Sequence, residues 1–235
     1  MKFLFALLAT TLLAHADTPP HVDVSLYCFQ FAPDTKQLAI RTGETTYQDV
    51  ELSTANITGP VQALVTDGRI TLHRQLTAPD GKVTWPVIGS AKVTAPMSRA
   101  LLLLLPGSSG SPEPYRCTLM DHAEASFPFG TYRIVNLSPF AVRGAIGRSL
   151  IDLKSATTGD LKLEGEPGAV VPSRFEFFDC NRWNLLTETR CAIRKDRRWL
   201  LCIYRDEDSG RMNLRSIPDR VQQVMASADA SSASN

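Results

Sequence analysis

Between Tyr115 and Leu153 the chain carries four short apolar-rich runs, and this stretch limits the possible folds more than any other feature. Pro128, Gly130, Ser138-Pro139 and Gly147 separate the runs. Such spacing is typical of antiparallel strands joined by tight connections. Strands this short need further strands or a second sheet to bury their apolar faces, so the stretch predicts an all-β fold. The four runs are Tyr115–Asp121, Gly130–Leu137, Phe140–Gly147 and Ser149–Leu153.

Other parts of the chain show the same strand patterns. His21–Cys28 alternates polar and apolar residues, the period of a half-buried strand. Asp67-Gly68 separates Pro60–Val65 from Arg69–Arg74 and predicts a hairpin, because these two residues adopt the positive φ angles of a tight turn. The run Ala100–Leu105 is apolar at every position, which predicts a central strand covered on both faces.

The end of the chain is predicted to form a closing three-strand meander, and no segment has the pattern of an amphipathic helix. We therefore predict an all-β fold of antiparallel β-sandwich type, in the style of immunoglobulin domains. About 220 mature residues allow one large sandwich or two tandem units, and we favour two. The three strands of the meander are Trp183–Arg194, Arg198–Asp206 and Arg211–Ile217.

One linker-like segment, rich in proline, glycine and serine, follows the leucine-rich run and can be a domain boundary or a long surface loop. The C-terminal residues are small and polar, which predicts a flexible tail. The predicted organisation is a signal peptide at 1–16, a first β-sandwich unit at 17–106, a linker or loop at 107–114, a second β-sandwich unit at 115–221 and a tail at 222–235.

The N-terminus has the layout of a secretory signal peptide. Lys2 precedes a short apolar run that ends at Leu13, and Ala14-His15-Ala16 supplies small residues around a cleavage point. We expect cleavage after Ala16. The apolar run is shorter than the roughly 20 residues that span a bilayer, and no later run is long enough either. The sequence therefore predicts a secreted or periplasmic protein without a membrane span.

The charge balance argues against nucleic-acid partners. The chain has 25 Lys and Arg and 24 Asp and Glu, and removing Lys2 with the signal leaves 24 against 24. A chain of zero formal charge has no electrostatic footprint for DNA or anionic lipid. The hydrophobic content of 43% is sufficient for a packed core.

Five cysteines in an exported chain predict two disulfides and one free thiol. If the chain folds back around Asp196-Arg197, Cys191 lies directly opposite Cys202, within disulfide reach. Cys28 and Cys117 each follow a strand pattern that points them toward a core, where they can bridge or remain small buried apolar groups. Cys180 is the remaining cysteine.

Asp121, His122 and Glu124 form the single local cluster of titratable groups that suggests catalysis. These residues can supply an acid and a base near a strand end. The alternative, which we favour, is a polar turn that closes the strand before it. The histidines are not spaced to share a metal and no Cys-x-x-Cys occurs, so we predict no metal and no cofactor.

Arg194 and Arg197 flank Trp199 and can bind an acidic glycan or another anionic partner. The alternative, again favoured, is a solvated strand face on which arginine stems cover apolar surface. Trp199, Trp183 and Trp85 can also serve a glycan-binding module by stacking on sugar rings, although burial in a core is the default for tryptophan.

Three segments resemble a pattern in secreted all-β proteins of Gram-negative-type bacteria. They are the leucine-rich strand Leu101–Pro106, the break at Pro114-Tyr-Arg116 and the strand Gly130-Thr-Tyr-Arg-Ile-Val-Asn-Leu-Ser138. The similarity covers about the middle third of the chain. It implies a periplasmic or cell-surface location and transfers no activity or catalytic residue.

Three functions are compatible with these patterns. We favour a non-enzymatic β-sandwich protein of the periplasm or cell surface that acts through protein contacts or envelope assembly. The first alternative is a glycan-binding module, which requires an exposed tryptophan on a flat face. The second is a hydrolase or lyase whose site forms only in three dimensions around Asp121, His122 and Glu124.

Overall fold

The structure, a computed structural model, describes residues 21–33, 35–108 and 110–220. Strands make up 58% of the described residues and no helix occurs among them, which confirms the all-β class. No helix long and apolar enough to cross a membrane is therefore found in these ranges. The predicted signal peptide, its cleavage point at Ala16 and the tail at 222–235 lie outside the described residues.

The described residues form eighteen strands. They are β1 (His21–Cys28), β2 (Gln37–Arg41), β3 (Tyr47–Glu51), β4 (Thr58–Leu64), β5 (Arg69–His73), β6 (Leu76–Thr77), β7 (Val83–Thr84), β8 (Val87–Lys92), β9 (Arg99–Pro106), β10 (Tyr115–Asp121), β11 (Thr131–Asn136), β12 (Val142–Ile146), β13 (Ser149–Leu153), β14 (Thr158–Lys162), β15 (Val170–Asp179), β16 (Arg182–Ala192), β17 (Arg197–Arg205) and β18 (Met212–Arg220).

The strands form four four-stranded sheets, which we name I to IV, and β6 and β7 form a separate two-stranded hairpin. Most pairs are antiparallel, as predicted, but β1 runs parallel to β9 and β11 runs parallel to β17. The strand orders are β3-β2-β5-β8 in sheet I, β10-β9-β1-β4 in sheet II, β14-β11-β17-β18 in sheet III and β13-β12-β15-β16 in sheet IV.

The four sheets lie in layers, with an apolar core between each neighbouring pair. The first core joins sheets I and II through residues such as Ile40 and Leu102. The junction core joins sheets II and III, and Leu103 and Leu200 belong to it. The second core, which contains Ile134, joins sheets III and IV. The inner sheets II and III are therefore covered on both faces, whereas I and IV each present one outward face.

The leucine-rich strand β9 occupies the position that its sequence predicts. It lies between β10 and β1, and residues Leu101–Leu105 are at most 2% exposed. Because side chains alternate along a strand, Leu102 and Leu104 enter the first core while Leu101, Leu103 and Leu105 enter the junction core. A strand with one apolar face could not occupy this place between two cores.

The turn at Asp67-Gly68 forms, but the hairpin around it does not. Both residues have positive φ angles, of 51° and 68°, as the sequence predicts. Only the isolated bridge between Thr66 and Arg69 continues the pairing, because β4 then joins sheet II and β5 joins sheet I. The turn thus carries the chain from one layer to the other.

The predicted closing meander is only half present. β17 and β18 pair antiparallel across a turn at Asp206–Gly210, but β16 lies in sheet IV beside β15. The segment 107–114 connects β9 to β10 within sheet II. The division of the chain into two independent units, with a boundary at 107–114, stays a prediction.

Candidate functional site

His122 lies at the end of β10, 8% exposed, in a polar cluster that also contains Asp219 and Arg198. Its Nε2 is 2.8 Å from Asp219 Oδ2 and 3.1 Å from Nη2 of Arg198. A carboxylate can only accept and a guanidinium can only donate, so one ring nitrogen cannot bond both. We assign the proton to His122 Nε2, which donates to Asp219, while Arg198 Nη2 donates to the His122 carbonyl oxygen at 3.1 Å.

Asp219 is the carboxylate at the centre of this cluster. Burial raises its pKa, but the hydrogen bond and charge of His122 and the charge and hydrogen bond of Arg198 outweigh burial and hold the pKa below its ordinary value. Arg198 Nε also donates to Asp219 Oδ2. The carboxylate is thus charged and enclosed by donors, and these contacts connect His122, which follows β10 of sheet II, with two residues of sheet III.

The predicted catalytic residues do not converge. Asp121 Oδ1 accepts a hydrogen bond from the Ala123 backbone N–H at 2.9 Å, which closes a turn after β10, and Glu124 is exposed. None of three clefts found in the described part of the chain is lined by Asp121, His122 or Glu124. The observed geometry is therefore that of the polar turn, the alternative to catalysis, and the enzyme hypothesis stays a prediction.

A second arginine, Arg133, lies beside this polar cluster, and we name His122, Asp219, Arg198 and Arg133 the junction cluster. Arg133 is not among the site residues predicted from the sequence. It forms a bidentate pair with Asp160, with N–O distances of 2.7 and 2.8 Å. The guanidinium carbons of Arg133 and Arg198 lie 4.4 and 4.8 Å from the centre of the Phe127 ring. The sequence does contain a signal for this residue: Arg133 is a charged residue inside the buried strand β11, and a buried charge requires a partner.

The three residues predicted to bind a ligand do not share an open face. Arg194 and Arg197 both bind the carboxylate of Asp196, at 3.0 and 2.7 Å, and these two arginines hold the pKa of Asp196 far below its usual range. Trp199 packs against the second core and stacks on Tyr132, with ring centres 6.2 Å apart. The two arginines are thus already paired with an acid, and the ring of Trp199 is largely used in packing.

All five cysteines lie in the described part of the chain and are free thiols, so the predicted Cys191–Cys202 disulfide is wrong in this structure. Cys191 lies opposite Val171 in sheet IV, whereas Cys202 lies opposite Val135 in sheet III. Cys191 packs against the second core and Cys202 belongs to the junction core, on the other side of sheet III. The prediction failed because β16 and β17 lie in different sheets.

The predicted Cys28–Cys117 disulfide is also absent among these five free thiols. The two cysteines do share the first core, as expected. Cys28 on β1 and Cys117 on β10 both lie opposite Leu104 of β9. The Cα atoms are therefore two strand spacings apart, about 9–10 Å, beyond the reach of a disulfide.

The outward face of sheet IV carries an exposed apolar cluster that the sequence did not reveal. Phe178, Trp183 and Leu185 are 39%, 36% and 53% exposed, and we name these three residues the aromatic patch. Phe178 lies opposite Trp183 where β15 and β16 meet, and their ring centres are 5.2 Å apart. Leu185 follows Trp183 on the same face because side chains two residues apart in a strand point the same way.

A ladder of ion pairs borders the aromatic patch on the same face. Arg143 Nε donates to Glu176 at 2.6 Å, and Arg174 binds Glu176 at 2.8 Å and Glu188 at 3.0 Å. The hydrogen bonds from Arg174 and Arg143 lower the pKa of Glu176. The guanidinium of Arg143 also lies over the Trp183 ring, 4.3 Å from its centre. The aromatic patch is thus bordered by arginine and glutamate side chains that are paired with one another.

The other tryptophans are engaged within the protein. Trp85 stacks on Tyr47, with ring centres 4.4 Å apart and planes inclined by 8°, and Trp199 stacks on Tyr132. Of the three tryptophans, only Trp183 is exposed, on the outward face of a sheet.

The fold and this face define an all-β protein of four stacked sheets with an aromatic patch on one outer sheet. No known family model matches the chain, and no curated protein matches it either.

Proposed function

We propose that the protein is an exported, non-enzymatic binding protein that contacts a protein of the cell envelope through the aromatic patch. The observation that carries this proposal is the exposure of Phe178, Trp183 and Leu185 as one cluster beside the ladder of arginine and glutamate. Water-exposed tryptophan and phenylalanine cost free energy unless a partner covers them. Tryptophan and arginine are also the residue types that dominate binding energy at protein interfaces.

Export is part of the proposal and rests on the sequence. The charged start, short apolar run and Ala14-His15-Ala16 support a cleaved signal, and the resemblance to secreted all-β proteins supports a periplasmic or surface location. Five free thiols do not argue against export, because the cysteines of both predicted pairs are too far apart or face different cores.

The test is binding to an envelope extract by the double variant Trp183→Ser/Leu185→Ser. We expect the unaltered protein to retain a discrete partner and the double variant to lose it. The matched control is Leu76→Ser/Val83→Ser on the β6–β7 hairpin, where the two side chains are 42% and 44% exposed. Equal retention by both variants, or no discrete partner with the unaltered protein, would contradict the proposal.

A second candidate, a glycan-binding module, is favoured by the exposure of Trp183 beside Phe178. Arg143 covers one face of the Trp183 ring, so a sugar can stack only on the other face. The test is tryptophan fluorescence during titration with oligosaccharides from envelope polysaccharides. Binding through this face should change the emission of the unaltered protein and leave that of Trp183→Phe unchanged; identical curves would exclude this site.

A further inference from the structure

A cleft of about 860 Å³ lies at the edge of sheet I where β2 begins, and its lining combines outward-facing residues such as Asp49 with residues of the first core such as Leu38. Ala39 of β2, which also lines the cleft, lies between Asp49 of β3 and His73 at the end of β5. Arg74 and Gln75, which follow β5, form part of the wall. A volume of this size is typical of small-ligand sites.

The cleft is lined by charged side chains of both signs. Asp49 and Glu51 are two residues apart on β3, so they lie on the same face about 7 Å from each other. Arg74 and Lys36 also line the cleft. None of these four residues forms an ion pair within 4.0 Å to any other described residue. Charges of opposite sign in one cleft are thus left available to a ligand.

Arg74 is the least satisfied of the four. Its Nε is buried and has no hydrogen-bond partner within the described ranges. A buried N–H of a charged group without a partner costs free energy that a bound acceptor can recover. The carboxylate is the acceptor that matches a guanidinium best, because it can take two parallel hydrogen bonds.

The segment after β5 holds Arg74 beside the cleft. The Arg74 backbone N–H donates to the Pro86 carbonyl at 3.1 Å. Trp85 stacks on Tyr47, and His73 Nδ1 lies 2.8 Å from the Trp85 carbonyl oxygen. The guanidinium therefore extends from a backbone fixed on the sheet, so binding a ligand has to order the side chain but not the backbone.

We propose that this cleft binds a short peptide with free ends, its ammonium group at Asp49 and Glu51 and its terminal carboxylate at Arg74. The length follows from the sheet. β2 lies between β3 and β5, so the acidic wall and the strand that leads to Arg74 are about 10 Å apart. Extended chain covers about 3.3–3.6 Å per residue, so three residues span this distance. The site is independent of the aromatic patch.

The test is calorimetric titration of the full chain with trialanine. We compare N-acetyl-trialanine, which lacks the ammonium charge, trialanine amide, which lacks the carboxylate, and alanine, which has both charges but is too short. Trialanine should bind with saturation, and each of the other three should bind at least about tenfold more weakly, because each loses a charge-assisted contact. Equal binding by the blocked peptides, or no binding of trialanine, would overturn the proposal.

Variants identify which wall binds which end of the peptide. In Arg74→Gln, trialanine and its amide should bind equally; in Asp49→Asn/Glu51→Gln, trialanine and its N-acetyl form should bind equally. Glu44→Gln removes an exposed acid outside the cleft and should bind all peptides like the unaltered protein. If Arg74→Gln unfolds, the blocked peptides still decide the question on the unaltered protein. A loss in Glu44→Gln equal to that in the acidic double variant would contradict the assignment.

Discussion

Arg198 holds Phe127 in two ways: its Nη1 donates to the Phe127 carbonyl oxygen at 2.5 Å, and its guanidinium carbon lies 4.8 Å from the centre of the Phe127 ring. Phe127 is fully buried in the junction core and lies in the connection between β10 of sheet II and β11 of sheet III. This pair therefore ties β17 to the segment by which the chain passes from sheet II to sheet III.

Removing Arg198 should destabilise the protein strongly. In Arg198→Ala, Asp219 keeps its buried charge but loses a charged donor, and the Phe127 carbonyl loses its hydrogen bond. Breaking a buried ion pair costs about 3–5 kcal/mol. The measurement is urea unfolding at neutral pH, compared with the unaltered protein.

The matched control is Arg194→Ala, which removes an arginine whose partner, Asp196, is exposed. Water screens an exposed ion pair, so it adds little to stability and this variant should unfold close to the unaltered protein. Similar losses in the two variants would show that the junction cluster is not a special source of stability.

Asp219 should make the protein sensitive to acid. Its pKa is lower in the folded protein than the ordinary value of about 3.9, so the unfolded chain binds the proton first as pH falls. The stabilisation is present above about pH 4 and is lost as pH drops toward the folded pKa. The unfolding free energy of Asp219→Asn should therefore change less between about pH 4 and pH 2 than that of the unaltered protein. Parallel pH curves would contradict this.

The thiols should react in order of their burial. Burial raises the pKa of Cys28 to about 11 and that of Cys117 to about 12, and it also raises the pKa of Cys202, so these groups are thiols at neutral pH. Cys180 is exposed in the turn between β15 and β16. Because the thiolate is the reactive form, a thiol reagent at about pH 8 should label Cys180 first.

After denaturation without reductant, all five cysteines should be labelled. A count of three or one would show that disulfides form in the protein and would contradict the strand register that separates Cys28 from Cys117 and Cys191 from Cys202. Peptide mapping would then identify the paired residues.

The sequence predicted the layers better than the strand partners. Leu101–Leu105 indicated a strand covered on both faces, because no polar residue interrupts it. Asp67-Gly68 indicated a turn, because the turn is a local property of these two residues. Neither pattern states which sheet the next strand joins. The pairing of Cys191 with Cys202 required β16 and β17 to be neighbours, and only the tertiary fold decides that.

The contacts of His122 with Asp219 and Arg198 could not be predicted from the sequence either, because they too depend on the tertiary fold. Asp219 lies 97 residues after His122, and no local spacing connects them. The sequence placed His122 in a polar turn but could not supply its partners. The aromatic patch was equally hidden, because Trp183 and Phe178 become neighbours through the hairpin of β15 and β16 and their exposure depends on which face of sheet IV is covered.

Gly144 should not tolerate a larger residue. A methyl group at this position of β12 would overlap the ring of Phe175 in the second core. Overpacking of a core typically costs about 1–3 kcal/mol, so Gly144→Ala should lower the thermal midpoint. Gly144→Ala should lower the thermal midpoint less when it is made in the Phe175→Leu variant than when it is made in the unaltered protein, because the smaller leucine leaves room for the methyl group. Strictly additive effects would show that the two positions do not compete for space.

The most direct test of the proposed binding face is photocrosslinking in cells that make the protein. A benzoyl-phenylalanine at position 185 lies in the aromatic patch, and one at position 76 lies on the β6–β7 hairpin with similar exposure. We expect a discrete adduct with an envelope protein from position 185 and none from position 76. No adduct from position 185, or the same adducts from both positions, would contradict the assignment of this face.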